Sequence, residues 1–170
     1  IIKFIKEYKP TGEFPYASPE GLYRTFQTAI ELDPVKFTKN LDPFMINNYH
    51  MLSSFYSGLE EAWKQKKDIL WNKVIDFTLL LIQEKWFCEP TKKDKSQHYD
   101  YFSWTLSAIG DLIQEGCKSD DWSFPEENHE NIEKIITIFI NKLSYDNDDY
   151  QGDGVSQALN TSWGKILIAL

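Results

Sequence analysis

The sequence predicts an all-α fold of antiparallel helical hairpins stacked as a short α-solenoid, with a closed irregular helical bundle as the alternative. Three observations carry this. Apolar residues recur at three- and four-residue intervals along most of the chain, while the alternation expected of strands hardly occurs. Ser18-Pro19, Asp33-Pro34 and Asp42-Pro43 each set a helix-capping side chain directly before a proline. Aromatic residues make up 15% of the chain, and large rings fill the irregular gaps between packed helices.

The first helix opens at Ser18-Pro19-Glu20, with a capping hydroxyl, a proline at the first helical position and an acid in the first turn. Leu22, Phe26, Ala29 and Ile30 form its apolar stripe. Asp33-Pro34 and Asp42-Pro43 bracket a short helix over 35–40. A long helix follows, from 44 or 47 to 66. In it Met45, Tyr49, Leu52, Phe55, Tyr56, Leu59, Ala62 and Trp63 step along one face. The segment 71–86 is apolar nearly all round, through Val74, Ile75 and the run 77–82. A helix without a polar face is covered on several sides, so this one is expected to be the most buried element.

Residues 88–97 (CEPTKKDKSQ) form a charged loop that offers a division of the single 1–170 domain into 1–88 and 97–170. The next helix, over 98–115, carries Tyr101, Phe102, Trp104, Thr105, Ala108, Ile109, Leu112 and Ile113. Gly116 stands where a helix C-terminus uses glycine. Pro125-Glu126-Glu127 starts another helix, with Ile132, Ile135, Ile136, Phe139, Ile140 and Leu143 on its apolar face. A polar loop spans 144–154. The last helix, from 155 or 160, runs through Trp163, Ile166, Leu167 and Leu170.

Helices joined by short connections pack antiparallel, and from residue 71 onward they fall into hairpins of helical-repeat length. The ends at 1–5 and 166–170 are apolar and call for a covering neighbour. This predicts a fragment of a longer helical array that self-associates through its apolar end helices.

The composition excludes several function classes. A net charge of −8 opposes nucleic acid and anionic membrane surfaces, and the basic clusters at 64–67 and 92–95 are short. The longest apolar run, 77–82, is too short to span a bilayer. Cys88 and Cys117 form no CxxC pair, which predicts a reducing, cytoplasmic setting. Asn160-Thr161-Ser162 matches a glycosylation triplet of a kind that arises often by chance.

No motif assigns a catalytic, cofactor-binding or metal-ligating residue. His50, His98 and His129 are scattered, and none has a partner at the spacing that puts two ligands on one helix face. The loop 146–154 is rich in acids and glycine but fails the calcium-loop register. Counting from Asp146, the sixth and twelfth residues are Gln151 and Gln157; counting from Asn147, Ala158 stands where Glu is required. Gly152-x-Gly154 lacks the third glycine and the preceding strand of a dinucleotide turn. The acid pairs Asp120-Asp121 and Asp148-Asp149 sit in loops and read as solvated charge.

Ala158-Leu159-Asn160-Thr161, Gly164 and Ala169-Leu170, together with Leu59-Glu60-Glu61-Ala62 and Trp71-x-x-Val74, carry a family resemblance. The pattern resembles HEAT-like helical-repeat regions of large, mostly uncharacterised bacterial multidomain proteins, some with an NTPase domain. Trp163 stands where that pattern more often has Arg. The resemblance covers about half the chain and implies an α-solenoid segment that senses or scaffolds; it transfers no catalytic residue.

The functional expectation is a non-catalytic module that binds a protein partner or positions flanking domains of its own chain. The alternative is a helical-bundle enzyme or small-molecule-binding domain with an interhelical pocket. Calcium titration is expected to leave the melting temperature unchanged. A shift at micromolar calcium that disappears on changing Asp146 and Asp148 to Asn would make 146–154 a metal site.

Overall fold

The computed structural model describes residues 7, 18–89, 100–119 and 121–142. The apolar ends, residues 90–99, the acidic loop and the last expected helix lie outside them. Among the described residues there are seven α-helices and no strand. The helices are α1 (Pro19–Leu32), α2 (Pro34–Thr38), α3 (Tyr49–Lys64), α4 (Trp71–Leu81), α5 (Lys85–Cys88), α6 (Tyr101–Cys117) and α7 (His129–Lys142), with 3-10 turns at Asp42–Phe44 and Glu126–Asn128. The all-α expectation holds.

Local capping chemistry sets most of the starts. Ser18 Oγ accepts the Gly21 N–H at 3.0 Å, and Asp33 Oδ1 accepts that of Lys36 at 3.1 Å. Both prolines take the first helical turn, as expected. Asp42-Pro43 makes only the 3-10 turn, and Asn48 instead caps α3 by accepting the Met51 N–H at 3.0 Å. Asp100 caps α6 through the Ser103 N–H at 2.9 Å, so that helix starts at 101 rather than 98. Pro125 precedes the 3-10 turn, and α7 follows it.

Pairings along the helices give their directions. Tyr23 meets Asn48, Ile30 meets Gly58, and Glu31 meets Gln65, so α1 and α3 run the same way. Tyr49 meets Phe102 and Trp63 meets Trp122, just beyond the end of α6; α3 and α6 therefore also run the same way. Across the α3–α4 connection the sense reverses, with Trp63 on Trp71, Tyr56 on Thr78 and Tyr49 on Trp86. Asn72 pairs with Asn128 and Asp76 with Asn131, so α4 and α7 run in one direction. The result is one layer of α1, α3 and α6 pointing one way, against α4 and α7 pointing the other. The most extensive interface joins α3 to α6, which come from either side of the charged loop.

The most buried helix is α3, not α4. Tyr49, Leu52, Phe55, Tyr56, Leu59, Ala62 and Trp63 are buried as expected, and Met51, Ser54 and Gly58 join them because α1 and α6 cover two sides. Helix α4 has a solvent face after all, made by Asn72, Lys73, Asp76 and Leu80 at helical spacing. Leu80 is 60% exposed. Its hydrophobicity filled in what is geometrically an outward position. The 71–86 segment also breaks after Leu81, and the turn through 82–84 lets Ile82 and Phe87 both reach the core. The Tyr49 hydroxyl anchors that turn at 2.7 Å from the Trp86 carbonyl and 3.1 Å from that of Phe87.

Two glycines mark close approaches. A β-carbon on Gly58 would lie 2.8 Å from the Gln27 carbonyl oxygen and 2.9 Å from Ile30 Cβ, so α1 and α3 cross there at backbone contact. Gly116 lies inside α6 rather than capping it, and a β-carbon there would overlap the Phe124 ring. The left-handed residue that closes a helix is Lys66, at φ 57°. Its N–H donates to the Trp63 carbonyl, and that of Lys67 donates to Ala62, the paired bonds of a Schellman ending.

Two stability measurements check this packing. Ile82→Ala is expected to cost about 2–5 kcal/mol and Leu80→Ala less than about 0.5 kcal/mol, by chemical denaturation. Equal losses would contradict the outward placing of Leu80. Lys66→Gly is expected to stabilise by about 0.5–1 kcal/mol, because glycine adopts positive φ without steric strain.

Candidate functional site

Among the described residues, two surface regions combine apolar area with polar groups. The first is the seam where α1, α3 and α6 meet. His50, in the first turn of α3, is sandwiched between the rings of Tyr23 on α1 and Tyr101 on α6, with centroids at 3.8 and 4.2 Å and nearly parallel planes. Trp104 extends the row edge-on to Tyr101 at 5.2 Å. Below it, Asn48 donates to the Tyr23 hydroxyl at 2.9 Å, and Thr105 donates to the Tyr49 carbonyl at 2.7 Å. Burial between the rings lowers the His50 pKa from the usual 6.5 to about 4, with Glu20 pulling the other way.

The second region is an open groove of about 450 Å³ between α4 and α7. Its apolar lining is Leu79 and Ile138, both half-buried. Gln83, Thr137 and Glu133 supply exposed polar groups, and Lys134 pairs with Glu130 at 2.6 Å. The positions 130, 133, 134, 137 and 138 form one stripe along α7.

Other buried or half-buried polar groups among the described residues lie apart from these two regions. Tyr56 hydrogen-bonds Thr78 at 2.9 Å, and complete burial pushes its phenol well above its usual range. Glu60 is also raised, mainly by burial, with Lys64 opposing and Asp111 adding to the shift. That carboxylate is held by Lys64 at 2.7 Å on the flank of α3, away from the groove. Trp63 and Trp71 bury indole N–H groups that find no acceptor among the described residues. They pack perpendicular to each other at 4.8 Å, and Phe124 lies perpendicular to Trp71 at 4.5 Å. Ring faces act as weak acceptors in such clusters.

His50 and His129 do not converge. His50 lies in the ring row, His129 is exposed at the start of α7, and His98 falls outside the described residues. Of the acid pairs, Asp121 is exposed, while Asp120, Asp148 and Asp149 fall outside, as does the loop 146–154. Among the described residues no three His, Cys, Asp or Glu side chains gather as a metal site would require, and no helix is long and apolar enough to cross a membrane. Lys64 and Lys67 of the first basic cluster are engaged with Glu60, Glu61 and the Glu31 carbonyl.

The lowered pKa of His50 is expected to make folding pH-dependent. The unfolded chain binds its proton more readily than the folded one, so the stability tied to neutral His50 is complete above about pH 6.5 and is lost as pH falls towards 4. The melting temperature is expected to fall over that window. His50→Phe, which keeps a ring between the tyrosines, should reduce the fall. The difference is on the order of 1 kcal/mol once the half-exposed ring is discounted for solvent screening. Identical pH profiles for the two proteins would remove His50 from the account.

Compared with known proteins, the chain matches no family model, no curated protein and no solved structure.

Proposed function

We propose that this chain is a non-catalytic interaction module, a short α-solenoid that binds a protein partner or positions other domains of a longer, cytoplasmic protein. The observation that carries the reading is the common direction of α1, α3 and α6 in one layer against α4 and α7 in the other. Hairpins stacked in this way repeat a geometry, and each addition lengthens an exposed surface. A closed up-and-down bundle would instead alternate the sense of neighbouring helices. Among the described residues the exposed faces offer a groove and a ring row, which favours recognition over turnover.

Two measurements on the full chain test the reading together. Native mass spectrometry of the protein purified from its own source is expected to find a stoichiometric complex with another polypeptide. A panel of small metabolites is expected to leave the melting temperature within about one degree, because only a ligand that prefers the folded state raises it. A metabolite that raises the temperature by several degrees at saturation, with no polypeptide bound, would transfer the assignment to the small-molecule reading.

A further inference from the structure

We propose that the groove between α4 and α7 docks an amphipathic helix of a protein partner, one that brings apolar side chains to Leu79 and Ile138 and a lysine or arginine to Glu133. The proposal rests on the interaction-module reading and names its surface and the chemistry of its partner.

Shape comes first. Two helices running in the same direction flank the groove, and a third helix can seat its side-chain ridge between theirs. The lining positions of α7 run from 130 to 138, a rise of about 12 Å, which matches two turns of a docked helix. Two apolar anchors spaced three or four residues apart therefore fill it. Leu79 and Ile138 already rest on the core with their remaining surface turned to the groove, so covering them needs no rearrangement of the fold.

Charge then selects the partner. Lys134 is taken by Glu130 at 2.6 Å and approaches Asn131 Oδ1 at 3.3 Å. Lys73, on the outer face of α4, donates instead to the Lys39 carbonyl at 2.6 Å. Glu133 makes no ion pair among the described residues, so the groove keeps one uncompensated carboxylate. The chain as a whole carries −8, and the same sign on both sides makes a second copy a poor occupant. A helix with apolar anchors and a flanking cation meets both demands; an acidic helix is repelled.

The test is a displayed library of helical 16-residue peptides, selected on the full 170-residue chain. The strongest peptide is then measured by fluorescence anisotropy against variants. Selected sequences are expected to pair apolar residues at i and i+3 or i+4 with a nearby Lys or Arg. Glu133→Lys should weaken binding about tenfold. Thr137→Arg, which puts a long cation into the groove from an exposed position, should abolish measurable binding. Glu20→Lys on α1 should change affinity less than about twofold. Both groove positions are exposed, so melting temperatures should stay close to that of the parent.

Acidic selected peptides, or peptides that bind Glu133→Lys and Thr137→Arg as well as the parent, would overturn the groove. If such peptides map instead to the seam of α1, α3 and α6, the interaction-module reading stands and only the groove fails. If no peptide is recovered and native mass spectrometry finds no polypeptide complex, both fail. A photo-crosslinking residue at position 137 adds an independent check. Capture of residues 143–170 of the same chain, or of a second copy, would show that the groove is already filled and sink the proposal.

Discussion

Burial of α3 on several sides is the constraint on which the rest of the fold depends. Helix α1 crosses it at Gly58, where the backbones touch; α6 lies along another side; and α4 folds back against it through Trp71, Phe77 and Thr78. Each neighbour places its own features relative to this one helix. The His50 ring row exists because α1 and α6 both run with α3, bringing Tyr23 and Tyr101 to the same end. The α4–α7 groove exists because α4 follows α3 back and α7 follows α6.

Among the described residues the interior is held by ring contacts and a few long-range hydrogen bonds rather than by ion pairs. Phe26, Phe44, Phe55 and Phe77 form a connected chain of rings across α1, α3 and α4, while Trp63, Trp71, Trp122 and Phe124 join the opposite ends of α3, α4 and α6. Among the described residues the ion pairs join residues three or four apart on helix flanks, where solvent screens them and they add little to stability. Aromatic enrichment therefore does in this chain what aliphatic packing does in more regular bundles.

The elements written in local chemistry were legible. Ser18-Pro19 and Asp33-Pro34 each hold their cap and proline within four residues, and the stripes of α1, α3 and α6 face inward almost as read. What escaped were features set by neighbours. Leu80 is apolar yet outward because the direction of α4 is decided by Trp71, Val74, Phe77 and Leu81, and composition cannot say which way a leucine points. Gly116 looked like a helix stop but serves the Phe124 ring, while the left-handed stop fell to Lys66. Tyr23, His50 and Tyr101 are spread over three helices, so their sandwich becomes visible only once the common direction is known. The groove residues were read as part of helices, without any sign that α4 and α7 were neighbours.

The common direction of α1, α3 and α6 has an electrostatic consequence of its own. Each helix carries a partial positive charge at its N-terminus and a partial negative charge at its C-terminus. Aligned side by side, three such dipoles repel and gather positive potential along the edge marked by Ser18, Asn48 and Asp100. Glu20 and the Asp100 carboxylate sit on that edge and offset it. The oppositely directed α4 and α7 cancel most of the remainder across the layers. Helices that point both ways thus leave the two groups nearly neutral as dipoles with respect to each other, so packing them side by side adds little electrostatic cost to the fold.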